Sequence, residues 1–363
     1  MKKILLTFTS YKSGEKIFPI IPELCGNYEV DVFVINQMSN ESPWYGDFDP
    51  RPGFYKQCEK WKVNLIQGPG SDLVKNKYQN PNLLKGYVDL KDYDMSLIDD
   101  NLGKWPWGGA VVAKEAKKQG CLSLGSPHGN HEFERYDLKR TFNSLFDHIF
   151  VFGEKEREKL ASDQNEYDRL IPGGIPANDK LSRQERKEDY ILVIANYSNG
   201  NQPIKIDNFS YHSITENMLV NSGILELGEK YGKEILIKEK SRFQRGFDSK
   251  FSFLEKYDNV KVSLDVEDDT ELIANSLFCI SAPSTLCFKS IQLGIPTVLL
   301  KDYGMTGNFH DYDGMIDIDR VSLEEELQKQ IDRGKDERFI QNTLEGGLDF
   351  SSTQKYVQFI EVC

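Results

Sequence analysis

Histidine and tryptophan are scarce in this chain of 363 residues, with five and four copies. Its six cysteines, Cys25, Cys58, Cys121, Cys279, Cys287 and Cys363, show no C-x-x-C and no spacing paired with histidine. Both absences argue against a disulfide framework and a structural zinc site, and the cysteines read as reduced and mostly buried. Positive charge is also short: 45 Lys and Arg against 57 Asp and Glu leave a net charge of -12. That excludes a general nucleic-acid or anionic-membrane surface while leaving room for a local basic pocket. No apolar run approaches the roughly 20 residues that span a bilayer, so no integral membrane segment is expected. Met1-Lys2-Lys3 is followed by only Ile4-Leu5-Leu6 before Thr7, Thr9 and Ser10. This reads as a first strand rather than a signal peptide, and a cytoplasmic protein is expected. G-x-G-x-x-G is missing as well, which removes the dinucleotide fingerprint.

What is present is enough apolar sequence for two cores. Hydrophobic residues make up 39% and aromatics 12%, and a chain of this length predicts two domains of roughly 150 to 200 residues. Its most legible stretch is Cys279–Leu300, CISAPSTLCFKSIQLGIPTVLL. An apolar run ends at Ser281, Ala282-Pro283 breaks it, and Ser284-Thr285 offers hydroxyls where a helix would begin. Gly294 and Pro296 stop that helix, and Thr297–Leu300 resumes as a buried strand, completing a βαβ crossover of a parallel sheet. A helix starting at Ser284-Thr285 would aim free N–H groups at an anion above the strand tips, or would be merely a well-capped α/β unit.

The first half alternates strands (Lys3–Phe8, Glu29–Asn36, Trp61–Gln67, Tyr93–Asp99, Cys121–Gly125, His148–Gly153) with helices expected over Ile17–Leu24, Trp105–Gln119, Glu132–Phe146 and Glu154–Ser162. Its strand tips carry the residues with chemical character, where open α/β sheets bind ligands. The first tip is the polar turn from Thr9 and Ser10 to Gly14. The fourth runs into Asp99-Asp100, and the fifth into Ser126-Pro127-His128-Gly129-Asn130-His131-Glu132. Imidazole titrates near the working pH, so His128 is a candidate general base or substrate-orienting group, or a loop histidine that caps the following helix. Gly129 lets backbone approach a substrate closely. Residues Gln37–Tyr55, rich in Asn, Ser, Pro, Gly and aromatics, read as a long loop that is either substrate-facing or a surface excursion.

Paired glycines and flanking prolines in Leu170–Lys180, followed by a charged run, mark a boundary. The pattern then restarts with Tyr190–Ala195 and an Asn196-Tyr-Ser-Asn-Gly turn suited to a phosphate contact. A helix over Ser213–Tyr231 leads to the strand Glu234–Lys238, whose tip gathers Lys238, Lys240, Arg242 and Arg245. Cations at a strand tip neutralise a diphosphate and stabilise a departing one, unless the loop is simply solvated. A strand at Asn259–Val262, a short helix at Thr270–Ser276, a strand at Met315–Ile318, a capped helix at Ser322–Gly334 and a tail helix at Ser352–Val362 complete the reading.

Two Rossmann-like halves joined by Gly173–Asp179 (GGIPAND), with ELIANSLFCISAPSTLCFKSIQLGIPTVLL at Glu271–Leu300, resemble the GT-B superfamily of nucleotide-sugar glycosyltransferases and related enzymes. The similarity is to the group containing capsule-polysaccharide transferases, CDP-glycerol glycerophosphotransferases and UDP-GlcNAc 2-epimerases. It implies an α/β fold of two Rossmann-like parallel-sheet domains facing a central cleft. Residues 1–172 would form the acceptor-binding domain, 173–188 a linker, 189–345 the nucleotide-donor domain and 346–363 a tail helix.

The activity implied is metal-independent transfer of a sugar or sugar-like group from a nucleotide-sugar donor to a hydroxyl acceptor such as a glycan, with no cofactor beyond the nucleotide-sugar co-substrate. Alternatives are a nucleotide-sugar epimerase or hydrolase, a CDP-alcohol phosphotransferase, or a non-catalytic binding module on the same fold. Implied catalytic residues are His128 and Asp100. Donor contacts are Lys238, Arg242, Ser281, Ser284, Thr285 and Asn196, acceptor-side residues are Ser10, Gly129 and His131, and no metal site is expected. The sequence departs from the group at Lys289, where many members hold a carboxylate against the ribose hydroxyls; a lysine has donors only. It departs again at Lys238-Glu239-Lys240-Ser241, an incomplete version of the KPHP-like motif of the phosphotransferases.

Overall fold

The computed structural model describes residues 1–8, 14–35, 52–68, 84–99, 109–127, 145–195, 204–206, 209–211, 222–239, 254, 256–263, 269–300, 307–317 and 322–363. They form two compact units: the described residues up to 179 together with 341–363, and the described residues between 180 and 340.

The first unit is built on seven strands: β1 (Lys3–Phe8), β2 (Glu29–Val34), β3 (Asn64–Gln67), β4 (Met95–Ile98), β5 (Leu122–Gly125), β6 (His148–Val151) and β7 (Leu170–Pro172). Their order is β3-β2-β1-β4-β5-β6-β7, with every neighbouring pair parallel. A parallel sheet covered on both faces demands continuous apolar strands. Ile4-Leu5-Leu6, Val32-Phe33-Val34 and Ile149-Phe150-Val151 supply them, all buried. Side chains alternate between faces. Ile4, Leu6 and Phe8 join a core with the helix α1 (Ile20–Leu24) and the tail helix Ser352–Val362. Leu5, Phe33 and Ile98 join another with the helix α3 (Gly109–Gln119). At the amino ends of the strands, Lys3 pairs with Glu29 at 2.9 Å and Asp31 at 3.0 Å, and Tyr93 donates its hydroxyl to Asp31.

The tail helix returns to this first unit. Tyr356 stacks on Phe150 with centroids 3.8 Å apart, and Asp179 accepts the N–H groups of Ser352 (3.1 Å) and Thr353 (2.7 Å), capping the helix from a distant point of the chain. The paired glycines make room for it. A Cβ on Gly173 would lie 2.6 Å from the Tyr356 ring, and Gly174, at φ +72, packs against Glu345 and Ser352.

Several elements differ from the expectations, each for a local reason. The helix α2 (Pro52–Trp61) stands where the loop and the start of the third strand were expected. Pro52 suits a first helical position, and Phe54, Cys58 and Trp61 fall at helical spacing. Between α4 (Glu154–Leu160) and β7 lies a further helix, α5 (Gln164–Arg169). Asp163 caps it by accepting the Glu166 N–H at 2.8 Å. The expected helix over Glu132–Phe146 lies outside the described residues except at its end.

The second unit has six strands: β8 (Tyr190–Ala195), β11 (Glu234–Glu239), β12 (Val260–Ser263), β13 (Ser276–Ser281), β14 (Thr297–Leu300) and β15 (Met315–Ile316). The short pair β9 (Ile204–Ile206) and β10 (Phe209–Tyr211) forms a separate antiparallel ribbon. The main order is β12-β11-β8-β13-β14-β15, again all parallel. Counted from its own first strand this is 3-2-1-4-5-6, the doubly wound order whose switch point lies between β8 and β13. Ile191, Val193, Ile235, Ile237 and Ile280 face one core with α6 (Ile224–Tyr231). Leu192, Ile194 and Cys279 face the other, beneath α7 (Asp269–Ala274) and the segment around α8 (Cys287–Gln292). The capped helix α9 (Leu323–Arg333) begins at Ser322, whose side chain accepts the Glu325 N–H, and ends at Gly334. A further helix, Glu337–Thr343, follows it.

Candidate functional site

In the second unit the candidate residues gather at the carboxyl tips flanking the switch point. Lys238 of β11 and Ser281 of β13 both lie level with Ile194 of β8, one on each side. Two strand spacings separate them, about 10 Å. Strand alternation puts both on the face carrying Leu192, Ile194 and Cys279, the face covered by α7. Lys238 is buried there, with 8% of its side chain exposed, and its Nζ lies 3.0 Å from Oδ1 of Asp269, the first residue of α7. Among the described residues no contact to that buried oxygen has hydrogen-bond geometry; the Lys238 contact is an ion pair rather than an aligned hydrogen bond. The neighbouring residue, Thr270, accepts Lys289 Nζ on Oγ1 at 3.2 Å. The first turn of α7 thus ties together a lysine from β11 and a lysine from α8.

Ser281 is fully buried, and its hydroxyl lies within hydrogen-bond distance of the Ile194 carbonyl (3.2 Å) and the Ala282 carbonyl (2.6 Å). It fixes the backbone of β13 against β8. Ser284 and Thr285 are half-buried and precede the helix instead of opening it. The helix proper begins at Cys287, with Leu286 at its cap and no side-chain cap bond. The lead-in is a tight turn in which the Ser284 carbonyl accepts from Cys287 (2.9 Å) and the Thr285 carbonyl from Phe288 (3.3 Å). Such i→i+3 turns are common at helix starts, and here the Ser284 hydroxyl accepts from Leu286 at 3.4 Å. The helix has six residues, so its dipole is a weaker anion attractor than the sequence suggested. Gly294, at φ +69, ends it as expected. Phe288 anchors it by stacking on Phe309, centroids 4.3 Å apart.

Asn196 and Arg242 lie outside the described residues, as do Ser10, Asp100, His128, Gly129 and His131 of the first half. Their immediate supports are described. Asp99 is buried, and its N–H donates to the Thr7 carbonyl at 3.0 Å. Ser126, two residues before His128, is buried with its Oγ 3.2 Å from the Tyr356 hydroxyl. The tail helix therefore supports the strand end two residues before His128.

Nothing in sequence spacing pointed to Asp269, Thr270 or Tyr356 as partners of these tips. The acidic run Asp265–Asp269 in the sequence was the available signal for the first. Asp311 and Asp313, which have D-x-D spacing, are committed to His310 and Arg333. A concavity of about 460 Å³, lined by residues 84–89, Glu115 and Gln119, lies beside the amino ends of β4 and β5, away from the strand tips. Among the described residues no group of three side chains is arranged to hold a metal ion, and no helix is long and apolar enough to cross a membrane.

No family model matches the sequence, and no curated protein sequence does. Solved structures do match, over nearly the whole chain. MnaA from S. aureus in complex with UDP superposes with a TM-score of 0.63 at 12% identity, covering 99% of this chain and 96% of that one. The UDP-GlcNAc 2-epimerase from Neisseria meningitidis bound to UDP-GlcNAc gives 0.58 at 14% identity, covering 100% of both chains. The wall teichoic acid polymerase TagF, as its H548A variant, gives 0.59 at 15% identity, covering 99% of this chain and 88% of that one. The chain has the GT-B fold. The GT-B likeness accounts for the two doubly wound sheets and their strand order, and at these identities it speaks for the fold alone.

Proposed function

We propose that this GT-B protein is an enzyme acting on a nucleotide-activated sugar, whose diphosphate is taken at the carboxyl tips of β8, β11 and β13. The reading rests on one observation above all: Lys238 and Ser281 flank Ile194 at the switch point, where doubly wound sheets bind ligands. Lys238 would supply the cation, and the turn Ser284–Leu286 backbone N–H groups. Arg242 and Asn196, at the tips of β11 and β8 in sequence, would complete the donor site. The reaction proposed is transfer of the sugar to a hydroxyl acceptor, with His128 as base, Asp100 as a second catalytic residue, and Ser10, Gly129 and His131 on the acceptor side. Protein cations take the place of a metal, and no cofactor is required.

A second reading, epimerisation of the nucleotide sugar, is favoured by the end-to-end match to a UDP-GlcNAc 2-epimerase that holds UDP-GlcNAc. The two readings separate in one experiment. Nucleotide sugars carrying UDP, GDP, CMP and CDP are screened by thermal shift, and the stabilising donor is followed by proton NMR with and without a hydroxyl acceptor. Transfer predicts that product forms only when acceptor is added; epimerisation predicts turnover of donor alone. Absence of stabilisation by every donor would refute both.

A further inference from the structure

We infer that Asp269 is an internal counter-ion that neutralises Lys238 in the empty protein and is displaced from it by a phosphate group of the ligand. The inference rests on the reading that these tips take a nucleotide diphosphate, and it assigns a role to a residue outside the contacts proposed above.

A lysine cannot stay charged inside a protein without a compensating group, because burial penalises the ammonium heavily. Lys238 is such a lysine: it lies level with Ile194 on the sheet face that carries Leu192 and Cys279, and only 8% of its side chain reaches solvent. Among the described residues Asp269 is the carboxylate that meets it, at 3.0 Å. Without Asp269 no carboxylate of the described residues would compensate that charge.

The pair is nevertheless built to come apart. An ammonium has three donors, and its 3.0 Å contact with Asp269 Oδ1 lacks hydrogen-bond geometry, so an incoming phosphate oxygen can take a better-directed bond than the carboxylate has. Asp269 is the more exposed partner, with 27% of its side chain reaching solvent, and a released carboxylate rehydrates there. Its neighbour Thr270 is fully buried and bonded to Lys289. The turn is therefore anchored through the next residue, and Asp269 can swing without moving α7. Ligand phosphate and Asp269 compete for one cation.

The test uses the full chain with inorganic pyrophosphate and UDP as probes, read by thermal shift and calorimetry. Asp269→Asn removes the competitor. The empty variant should melt below the wild type, while its affinity for pyrophosphate should rise by about tenfold or more and the ligand-induced shift should grow. Lys238→Met/Asp269→Asn removes both charges, which avoids an unpaired buried group, and should lose pyrophosphate binding. Unchanged or weaker binding by Asp269→Asn, with UDP still bound by the wild type, overturns the counter-ion role and leaves the nucleotide reading standing. Should Asp269→Asn not fold, the double variant decides: retained pyrophosphate binding overturns the inference. If UDP fails on the wild type but pyrophosphate stabilises Asp269→Asn more than the wild type, the counter-ion role is upheld and the nucleotide reading falls. No binding of either probe to any form overturns both.

Discussion

Removing the Tyr356 side chain should unfold the first unit selectively, although the residue comes after the whole second unit in sequence. Tyr356 is fully buried. It stacks on Phe150 at an interplanar angle of 16°, presses on Gly173 and holds Ser126 by its hydroxyl. Truncating a buried aromatic to alanine costs about 3–5 kcal/mol. The orphaned Ser126 hydroxyl adds about 1 kcal/mol more. Against a total stability of about 5–15 kcal/mol, Tyr356→Ala therefore removes a large share, and at about 2 kcal/mol per M of urea its midpoint falls by about 2–3 M. Tyr356→Phe keeps the stack and loses the hydrogen bond, for a loss of about 1–2 kcal/mol.

The chain provides the assay. All four tryptophans, Trp44, Trp61, Trp105 and Trp107, precede residue 108 in sequence, and Trp61, the one among the described residues, packs against the first unit's core, so tryptophan fluorescence is the readout for that unit while far-UV circular dichroism follows both. The fluorescence transition should move to lower urea and the remaining dichroic transition should stay. A Tyr356→Ala fluorescence midpoint within about 0.5 M of wild type would refute the assignment of the tail to the first core.

Burial raises the Asp179 carboxyl from 3.8 to about 6. A group that binds its proton more tightly when folded adds stability at low pH and loses it as pH rises through the folded value. Asp179→Asn should flatten urea stability of the first unit between about pH 4 and 6, measured by the same fluorescence midpoint. Phe288→Ala should cost about 3–5 kcal/mol in the second unit by opening its stack with Phe309, lowering the dichroic but not the fluorescence midpoint. With a thiol reagent at pH 8, exposed Cys363 should react first and half-buried Cys25 next. Cys58, Cys121, Cys279 and Cys287 should react only on unfolding, because burial holds Cys58 and Cys287 up at about 11 and Cys121 at about 12.

The alternation of strands and helices was legible because it is written locally. Lys3–Phe8, Tyr190–Ala195, Thr297–Leu300 and Ser352–Val362 fall where apolar runs, caps and breakers placed them. Sequence failed where the reason for a residue lies far along the chain. Gly173-Gly174 reads as part of a domain boundary when only its neighbours are considered, and nothing local announces its packing role. In the fold these glycines are close-approach positions for a helix that begins at Ser352. The Ser126–Tyr356 contact spans 230 residues, beyond any local pattern. The helix α5 is a different case: Asp163 and Glu166 are a capping signal three residues apart, but six residues are too few to show a helical apolar period.

The candidate donor site shows the same division and has a chemical consequence. Read locally, Ser284-Thr285 promised a helix end that would attract an anion by its dipole. In the fold those residues make a 3-10-like turn, and the helix after them has six residues. On the reading proposed, that moves the weight of anion recognition from the backbone dipole to side-chain cations, above all Lys238. Once a lysine carries that weight, its charge in the empty site has to be maintained. Asp269 does so from 31 positions away in sequence, on the far side of β12 along the chain, a return to β11 that spacing alone could not show. The residue that sets how strongly this site attracts an anion is then a carboxylate, which a search of the sequence for cations would pass over.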